Sequence, residues 1–254
     1  MSEIVGPISI FGIKYDGPIE KGINLPKLVV DVARKSNFKI VDGDIVILTH
    51  TVVAKAEGLI FNLNNVKPSP FAEAIARKLD KDPRVLQLIL NETKNIVRLE
   101  RKNLITESKA GIISANAGVD LSNVDGGNSA VIVPRNPDKV AKKYVEEFKK
   151  FGLNVAVIIT DTLGRPFRLG DVNFAIGSYG ITPLRDLRGK KDLFGRVLRI
   201  KRIAIIDELA ASAELITGSS NEGIIGAIVR GYKYEKSKKG AKSIQRPPER
   251  DFFK

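Results

Sequence analysis

Acidic and hydroxyl side chains follow an apolar run in the stretch "NVAVIITDTLGRPFR", residues 154–168. The small and β-branched residues before Asp161 predict a buried strand, and a sheet holds a carboxylate at the end of a strand rigidly. A second carboxylate, Asp120, lies in the polar stretch "SANAGVDLSN" (114–123), also after an apolar strand. Because Mg²⁺ and Mn²⁺ prefer oxygen ligands, Asp120, Asp161 and the hydroxyl of Thr162 are candidate ligands of a divalent cation.

Two arginines, Arg165 and Arg168, follow in the same stretch. Their guanidinium groups are forked donors that suit a phosphate or a carboxylate. Each residue also has an ordinary structural explanation, because an aspartate can form an Asx turn or cap a helix and an arginine can lie on a solvated face. The occurrence of acids, hydroxyls, glycines and arginines in one short stretch nevertheless favours a site for a charged ligand.

Two further segments contain polar groups next to apolar runs. In "THTVVAKAEG" (49–58), His50, Thr51 and Lys55 surround a predicted break after a strand. Lys55 either meets a phosphate as a point charge or is a surface lysine, and spacing does not decide between these roles. A lone histidine such as His50 is more often a structural hydrogen-bonding residue than a catalyst. The segment "TGSSNEG" (217–223) is interpreted as a third loop after an apolar strand.

Several classes of protein are excluded by what the sequence lacks. It has no G-x-x-x-x-G-K-[ST] or G-x-G-x-x-G motif, so neither a P-loop nor a Rossmann fold is expected. Cysteine is absent and His50 is the only histidine, which excludes disulfides, thiolate sites and multi-histidine metal sites. "IITDTLG" faintly resembles the D-x-D motif of aspartyl-phosphate phosphatases, but Ile159 stands where the nucleophile is needed. Without a long apolar run or a signal-like start, we expect a cytoplasmic protein with no membrane span.

The formal net charge of +13 has two explanations. One is a nucleic-acid surface, and the other is a site for small polyanions on a lysine-rich surface. Aromatic residues are only 6% of the chain and tryptophan is absent, so bases would find few stacking platforms. Many Lys, Glu and Ile residues are also typical of proteins from hot environments. We therefore expect no nucleic-acid partner and keep a basic nucleic-acid-binding protein as an alternative.

The elements that must position these groups are helices and strands that do not strictly alternate. Polar caps, early prolines and a period of 3.6 residues predict helices, and apolar runs between turns predict strands. The predicted helices are 69–80, one that starts at 83, and 137–152; the predicted strands start at 43, 154 and 223, and 201–218 passes from strand to helix. The expected class is mixed α/β (α+β), as a single domain over residues 1–254.

Taken in order, the motifs resemble those of the coenzyme F420:L-glutamate ligase family, and the resemblance covers nearly the whole chain. The stretch "VIITDTLGRPFRLGDVNFAIG" is very specific. The others are "THTVVAKAEG", "NAGVDLSN", "GKKDLFGR", "DELAASAELITG" and "RPPERDFFK". The resemblance implies that family's fold in an intertwined homodimer with sites near the subunit interface. It also makes the basic C-terminal segment 231–254 a family feature rather than a nucleic-acid arm.

The resemblance implies a reaction as well. GTP phosphorylates the lactyl carboxylate of coenzyme F420-0, and the α-amine of L-glutamate then displaces phosphate to leave an amide. A further glutamate is joined through the γ-carboxyl group of the first. Two divalent cations (Mg²⁺ or Mn²⁺) and K⁺ are implied, because the acceptor and GTP are both anionic. A related ligase with another nucleotide or acceptor acid is a further alternative.

Residue roles follow from the same resemblance. Asp120 and Asp161 would hold one metal ion, and Thr162 would help to hold the second. We assign Arg165 and Arg168 to the substrate phosphodiester or the incoming glutamate. The implied nucleotide-binding positions are Gly17, Pro18, His50, Thr51, Lys55, Asn123, Gly218, Ser219, Ser220, Asn221, Glu222 and Gly223.

Ser219 departs from the family pattern. The family usually has Gln or Glu at this position, where the side chain helps to bind the second metal ion. A hydroxyl is a weaker ligand and carries no charge, so water or Glu222 would have to substitute. His50 also replaces a commoner serine, which leaves the nucleotide preference open.

Overall fold

The computed structural model describes residues 4–251 as a mixed α/β protein. Its helices are α1 (Leu25–Lys35), α2 (His50–Ala56), α3 (Pro70–Leu79), α4 (Pro83–Glu92), α5 (Pro137–Lys150) and α6 (Ile205–Thr217). Its strands are β1 (Ser9–Lys14), β2 (Ile45–Thr49), β3 (Ile60–Asn62), β4 (Thr93–Glu100), β5 (Asn103–Ser108), β6 (Ile113–Ala115), β7 (Ser129–Val131), β8 (Ala156–Arg165), β9 (Arg168–Tyr179), β10 (Leu184–Asp186), β11 (Arg202–Ala204) and β12 (Ile224–Arg230). None of the helices in this part of the chain is long and apolar enough to cross a bilayer.

The largest sheet has five strands in the order β1-β12-β2-β8-β9. Only β2 and β8 are parallel neighbours in it, and they pair from Ile45 opposite Ala156 to Thr49 opposite Thr160. The other neighbours are antiparallel. The sheet therefore differs from the mostly parallel sheet of a Rossmann fold.

Helices cover both faces of this sheet, which explains why its central strands are continuously apolar. Successive residues of β2 and β8 alternate between two hydrophobic clusters, as the period of two in a strand requires. On one face, Val46, Leu48, Val157 and Ile159 pack with residues of α1 and α5. On the other face, Ile45, Ile47, Ala156 and Ile158 pack with residues of α6. The core thus holds the ends of β2 and β8 in fixed positions.

Local capping signals place the helices where the sequence predicts them. The Ser69 hydroxyl accepts a hydrogen bond from the backbone N–H of Ala72 at the start of α3. The Asn136 side chain caps α5 in the same way. The predicted helix at 83 and the strand-to-helix passage at 201–218 are also confirmed, as α4 and as β11 followed by α6.

The sequence-based expectation that Asp161 and Thr162 lie in a loop at a strand end is wrong. β8 continues to Arg165 and forms a long hairpin with β9, in which Asp161 pairs with Phe174 and Thr162 with Asn173. The parallel neighbour β2 nevertheless ends at Thr49. Beyond Thr160, β8 therefore pairs with β9 alone among the strands of residues 4–251.

The segment 217–223 also differs from expectation, because it follows helix α6 and not a strand. The helix ends at Gly218, whose φ of 62° and ψ of −178° lie in a region that glycine alone adopts readily. This sharp exit directs the segment back toward the start of β12. The loop that follows the apolar strand β6 agrees with expectation, and Asp120 lies in it.

The C-terminal segment is bound to the rest of the fold through Asp138, in the first turn of α5. Its carboxylate accepts hydrogen bonds from the backbone N–H groups of Ser178, Ala241 and Lys242, at 2.8, 2.8 and 3.1 Å. Ala241 is buried in the cluster beneath α6. One carboxylate therefore ties α5, β9 and the tail together.

Candidate active site

A cavity of about 690 Å³ opens where β2 passes into α2. Residues from well-separated parts of the chain line it, within 15–19, 49–55, 115–123, 160–164 and 217–225, together with Asp171 and Asn173 of β9. The walls are thus built from strand ends, one strand edge and two glycine-containing loops. Loops and strand ends on a rigid core are the usual location of catalytic groups.

Two aspartates of the cavity wall are fixed by hydrogen bonds. The Oδ1 atom of Asp120 accepts from the backbone N–H and the hydroxyl of Ser122, each at 2.8 Å. Its Oδ2 atom accepts from the hydroxyls of Ser122 at 2.9 Å and Thr51 at 3.3 Å. The Oδ1 atom of Asp161 accepts from the backbone N–H of Thr162 at 2.8 Å. Both carboxylates are therefore held in defined orientations.

His50 lies beside Asp161 and is almost completely buried, with 5% of its surface exposed. Its Nδ1 atom is 3.0 Å from Oδ1 of Asp161. Burial alone would lower the pKa of the imidazole, but the charge and hydrogen bond of Asp161, together with the charge of Asp120, raise it above its ordinary value. Because Thr51 contacts Asp120 and the preceding residue His50 contacts Asp161, the two acids approach consecutive residues of the chain.

The cavity is acidic, although the chain as a whole is strongly basic. Its wall contains the carboxylates of Asp120, Asp161, Asp171 and Glu222, and Lys55 is the only lysine or arginine that residues 4–251 contribute to it. Partial burial lowers the pKa of Lys55, and the charge of nearby Asp125 opposes that shift. An anionic ligand would need additional positive charge to enter such a cavity.

The loop between α6 and β12 is held in a compact shape. The Glu222 carboxylate accepts a hydrogen bond from the backbone N–H of Ser220 at 2.9 Å and lies directly against Gly218, where a Cβ atom would clash with it. The Ser219 hydroxyl donates to Oε1 of Glu214 at 3.0 Å. The side-chain amide of Asn123 donates to the carbonyl of Ser220 at 2.9 Å and joins this loop to the Asp120 loop.

Oxygen atoms are the donors that the cavity offers to a cation. Within residues 4–251, no group of three or more His, Cys, Asp or Glu side chains forms a complete metal cage. Mg²⁺, however, commonly takes only one or two carboxylates from a protein and completes its octahedron with water and substrate phosphates. The carboxylate and hydroxyl oxygens of the wall are the donor types that such an ion takes, and Asp120 and Asp161 are the residues that could hold it.

Comparison with known proteins identifies the family of the chain. The family model described as F420-0:Gamma-glutamyl ligase matches residues 13–231. The chain belongs to this family. A protein of Methanothermobacter thermautotrophicus named coenzyme F420:L-glutamate ligase is 40% identical, and the alignment covers 97% of this chain and 99% of that protein.

Two further proteins of the same name have similar identity to this chain and similar coverage. The one from Methanopyrus kandleri is 42% identical over 95% of this chain and 96% of its own length. The one from Methanocaldococcus jannaschii is 41% identical over 97% of both chains. The similarity therefore extends over almost the entire length of each protein.

This member of the F420-0:gamma-glutamyl ligase family brings nearly all of the sequence-predicted site residues into one cavity. The nucleotide-binding, metal-binding and catalytic candidates that line it are Gly17, Pro18, His50, Thr51, Lys55, Asp120, Asn123, Asp161, Thr162, Gly218, Ser219, Ser220, Asn221, Glu222 and Gly223. Their chemical roles stay predictions, whereas their proximity is a property of the fold.

The two predicted arginines are not among the lining residues. Arg165 and Arg168 face each other across the tip of the β8–β9 hairpin. The guanidinium group of Arg165 folds onto the carbonyl groups of Leu169 and Gly170, at 3.1 and 3.4 Å, and Arg168 is exposed. The hairpin carries both of them beyond the cavity wall, since β8 continues past Asp161.

Two residues outside the predicted set contact the predicted metal ligands. Asn173 is buried, and its Oδ1 atom accepts a hydrogen bond from the Thr162 hydroxyl at 2.6 Å. Ser122 donates to both oxygens of Asp120. Ser122 lies inside the "NAGVDLSN" motif, so its proximity to Asp120 is a local signal. The contact of Asn173 with Thr162 can be inferred only once the pairing of β8 with β9 is known.

Proposed function

We propose that the protein is a ligase that joins L-glutamate to the lactyl carboxylate of coenzyme F420-0 with GTP as the co-substrate. The observation that carries the proposal is the convergence of the predicted nucleotide and metal residues, from distant parts of the chain, on one cavity. Relatives near 40% identity along almost their whole length carry the corresponding name. Further glutamates would be added through the γ-carboxyl group of the first.

The proposed chemistry has two steps. A carboxylate oxygen of the acceptor attacks the γ-phosphorus of GTP, GDP leaves, and an acyl phosphate forms. The α-amine of glutamate then attacks the acyl carbon, phosphate leaves, and the amine loses a proton as the amide forms. The first step is required because an ionised carboxylate is a poor acylating agent. Binding both reactants in one cavity would supply much of the acceleration.

Divalent cations are part of this proposal. Asp120 and Asp161 would hold one ion, and Thr162, with Ser219 or Glu222, would contribute oxygens toward a second. Such ions supply charge neutralisation for the phosphate groups, which would otherwise be repelled by the acids of the cavity. K⁺ belongs to the same proposal on the family resemblance alone.

The remaining positive charge would come from side chains of the protein. Lys55, in the cavity wall, would contact a phosphate of GTP. Arg165 and Arg168 lie beyond the wall, so they would serve a part of the substrate that projects from the cavity. The phosphodiester of F420-0 or the carboxylates of glutamate suit forked donors of this kind.

The experiment that tests the function is mass spectrometry of F420-0 incubated with the protein, GTP, Mn²⁺ and glutamate. We expect a mass increase of one glutamyl residue, and of further residues if γ-linked addition occurs. Substitution of GTP by ATP, or of F420-0 by another hydroxy acid, tests the alternative that a related nucleotide or acceptor is used. Unchanged F420-0 under all of these conditions would refute the proposal.

Asp161→Asn provides the matched control for this experiment. An amide can still accept hydrogen bonds from His50 and Thr162, so the thermal midpoint should stay within a few degrees of the wild type. The lost negative charge should lower turnover by about 100-fold or more, as expected when an electrostatic contribution to catalysis is removed. Turnover near the wild-type rate would remove Asp161 from the catalytic machinery.

A further inference from the structure

We propose that His50 is a positioning residue that orients the Asp161 carboxylate so that one defined oxygen is available to a divalent cation. This inference rests on the metal part of the proposed function and adds a role for the imidazole. Neither the nucleotide contact suggested for this position by the resemblance nor a catalytic proton transfer is required.

The hydrogen bonds of Asp161 are concentrated on one oxygen. Oδ1 lies 3.0 Å from His50 Nδ1 and accepts the backbone N–H of Thr162 at 2.8 Å. No hydrogen bond reaches Oδ2 from the part of the chain that the structure describes. The two donors on Oδ1 fix the rotation of the carboxylate about its bond to Cβ. Oδ2 is thereby left with its lone pairs free on a wall of the cavity.

Gly118 lies beside Oδ2 of Asp161. A Cβ atom on Gly118 would be in van der Waals contact with this oxygen, at 3.7 Å, so a glycine leaves it less covered than any other residue would. Only 13% of the Asp161 side chain is exposed. A carboxylate with one satisfied oxygen and one unsatisfied oxygen, in a mostly buried position, has the geometry of a monodentate ligand.

The other nitrogen of His50 argues against direct contact with a substrate. Nε2 is fully enclosed and finds no hydrogen-bond partner among residues 4–251. With Nδ1 facing a carboxylate oxygen, the proton belongs on Nδ1, and the enclosed Nε2 cannot be reached by a nucleotide without movement of the wall. The contact with Asp161 is therefore the polar interaction that the buried ring makes in this fold.

Thr51, the residue after His50, contacts the second acid, Asp120. Thr51 donates to Oδ2 of Asp120 at 3.3 Å, so consecutive residues at the junction of β2 and α2 contact the two carboxylates. Asp120 additionally accepts from Ser122 by three contacts of 2.8–2.9 Å, whereas Asp161 has only Thr162 besides His50. Loss of His50 should therefore disturb its partner more than loss of the Thr51 hydroxyl disturbs Asp120.

Three substitutions of His50 separate the effect of the hydrogen-bond donor from the effect of the ring. In His50→Asn, the side-chain amide nitrogen occupies the place of Nδ1 and keeps the donor. In His50→Gln, the amide nitrogen lies near the place of Nε2, and His50→Leu has no donor at all. Outer hydrogen-bond partners of metal ligands typically contribute about 10- to 100-fold to metal affinity.

The readout is the affinity for Mn²⁺ alone, measured by electron paramagnetic resonance of the free ion with the full-length protein. We expect His50→Gln and His50→Leu to weaken Mn²⁺ binding by about 10-fold or more. His50→Asn should stay within about threefold of the wild type, and Thr51→Val should have a smaller effect than His50→Leu. Thermal midpoints of all variants identify any loss of folding, and the rescue by Asn excludes a purely structural role.

The outcomes distinguish this inference from the function on which it rests. If Asp161→Asn weakens Mn²⁺ binding while His50→Leu and His50→Gln bind as the wild type does, the positioning role is wrong and the metal site stands. If Asp161→Asn binds Mn²⁺ as tightly as the wild type, the metal site itself is wrong, and this inference with it. Equal losses in His50→Asn and His50→Leu would also overturn the positioning role.

Discussion

At the scale of single residues, the charge of the cavity wall is opposite in sign to the net charge of the chain. The net charge of +13 attracts anions to the molecule as a whole, yet the cavity wall itself carries several carboxylates. This inversion of sign explains why metal ions, and not arginines, would have to accompany a triphosphate into the cavity. Lys55 is a basic residue in this acidic wall, so its charge depends on the groups around it.

The partly buried amine of Lys55 predicts that activity depends on pH. Burial lowers its pKa, so the amine loses its proton at a lower pH than an exposed lysine does, and phosphate contact weakens above that pH. We expect kcat/KM for GTP to fall on the alkaline side in the wild type. Lys55→Arg keeps its charge and should lack this alkaline limb. Lys55→Met should lose about 10- to 100-fold at neutral pH, as removal of a charge-assisted hydrogen bond implies.

Ser219 provides a test of the second metal ion. Its hydroxyl donates a hydrogen bond to Glu214 and carries no charge, so it would be a weak ligand for a cation. Ser219→Glu introduces a charged oxygen ligand, and repulsion by Glu214 should direct it toward the cavity. The Mn²⁺ concentration for half-maximal activity should therefore decrease. Ser219→Gln, which has the same length without the charge, separates the two contributions, and an unchanged titration in both variants would show that Ser219 lies outside the metal site.

At the scale of elements, the unequal lengths of β2 and β8 create the site. The parallel pair ends at Thr49 and Thr160, and β8 then continues with β9 as its only strand partner. The free edge of β8 borders the cavity and presents Asp161 there. Asp161 thus lies within a strand that is paired on one side, whereas site residues more commonly lie in the loop after a strand.

The turn before Asp120 gives a prediction at this scale. Gly118 has a φ of +70°, and a Cβ atom there would clash with Val133. Gly126 has the same φ with open space around it, so it is a matched control. Gly126→Ala should cost about 1–2 kcal/mol from backbone strain alone. Gly118→Ala should cost a further 1–3 kcal/mol from the clash and should also weaken Mn²⁺ binding, because the turn carries Asp120. Equal costs in urea unfolding would contradict this explanation.

Local signals determined how much of the fold the sequence could predict. The helices with a capping residue and an early proline, such as α3 and α5, were predicted within a few residues. The β8–β9 hairpin was not, because Gly164 and Pro166 in "TDTLGRPFR" suggest a loop when the pairing strand is unknown. The contact of His50 with Asp161 joins residues more than a hundred positions apart, and no local pattern encodes it.

At the scale of the whole molecule, exposed apolar side chains lie at two projecting turns. Phe167 and Leu169, at the tip of the β8–β9 hairpin, are 91% and 98% exposed, and Leu193 and Phe194, between β10 and β11, are 98% and 95% exposed. Large apolar side chains grouped on projecting turns are typical of surfaces that bind another protein. A homodimer, which the family resemblance implies, would cover such side chains.

The dimer is tested by sedimentation equilibrium. We expect the wild type to sediment at twice the chain mass of 27.8 kDa. The double substitution Leu193→Asp and Phe194→Asp should shift it toward the monomer, because charges would be buried at the contact. Leu215→Asp makes the same change at an exposed leucine of α6 and should leave the dimer intact. A monomeric wild type at micromolar concentration would refute the dimer without affecting the assignment of the cavity.

The carboxylate of Asp138 bears on how this protein should be handled in the laboratory. A fragment trimmed at residue 231 would retain every position matched by the family model, yet it would remove the amide donors of Ala241 and Lys242. It would also uncover the apolar surface on which Ala241 rests. Expression clones therefore need the residues after residue 231, since the family model ends before the segment that Asp138 binds to the rest of the fold.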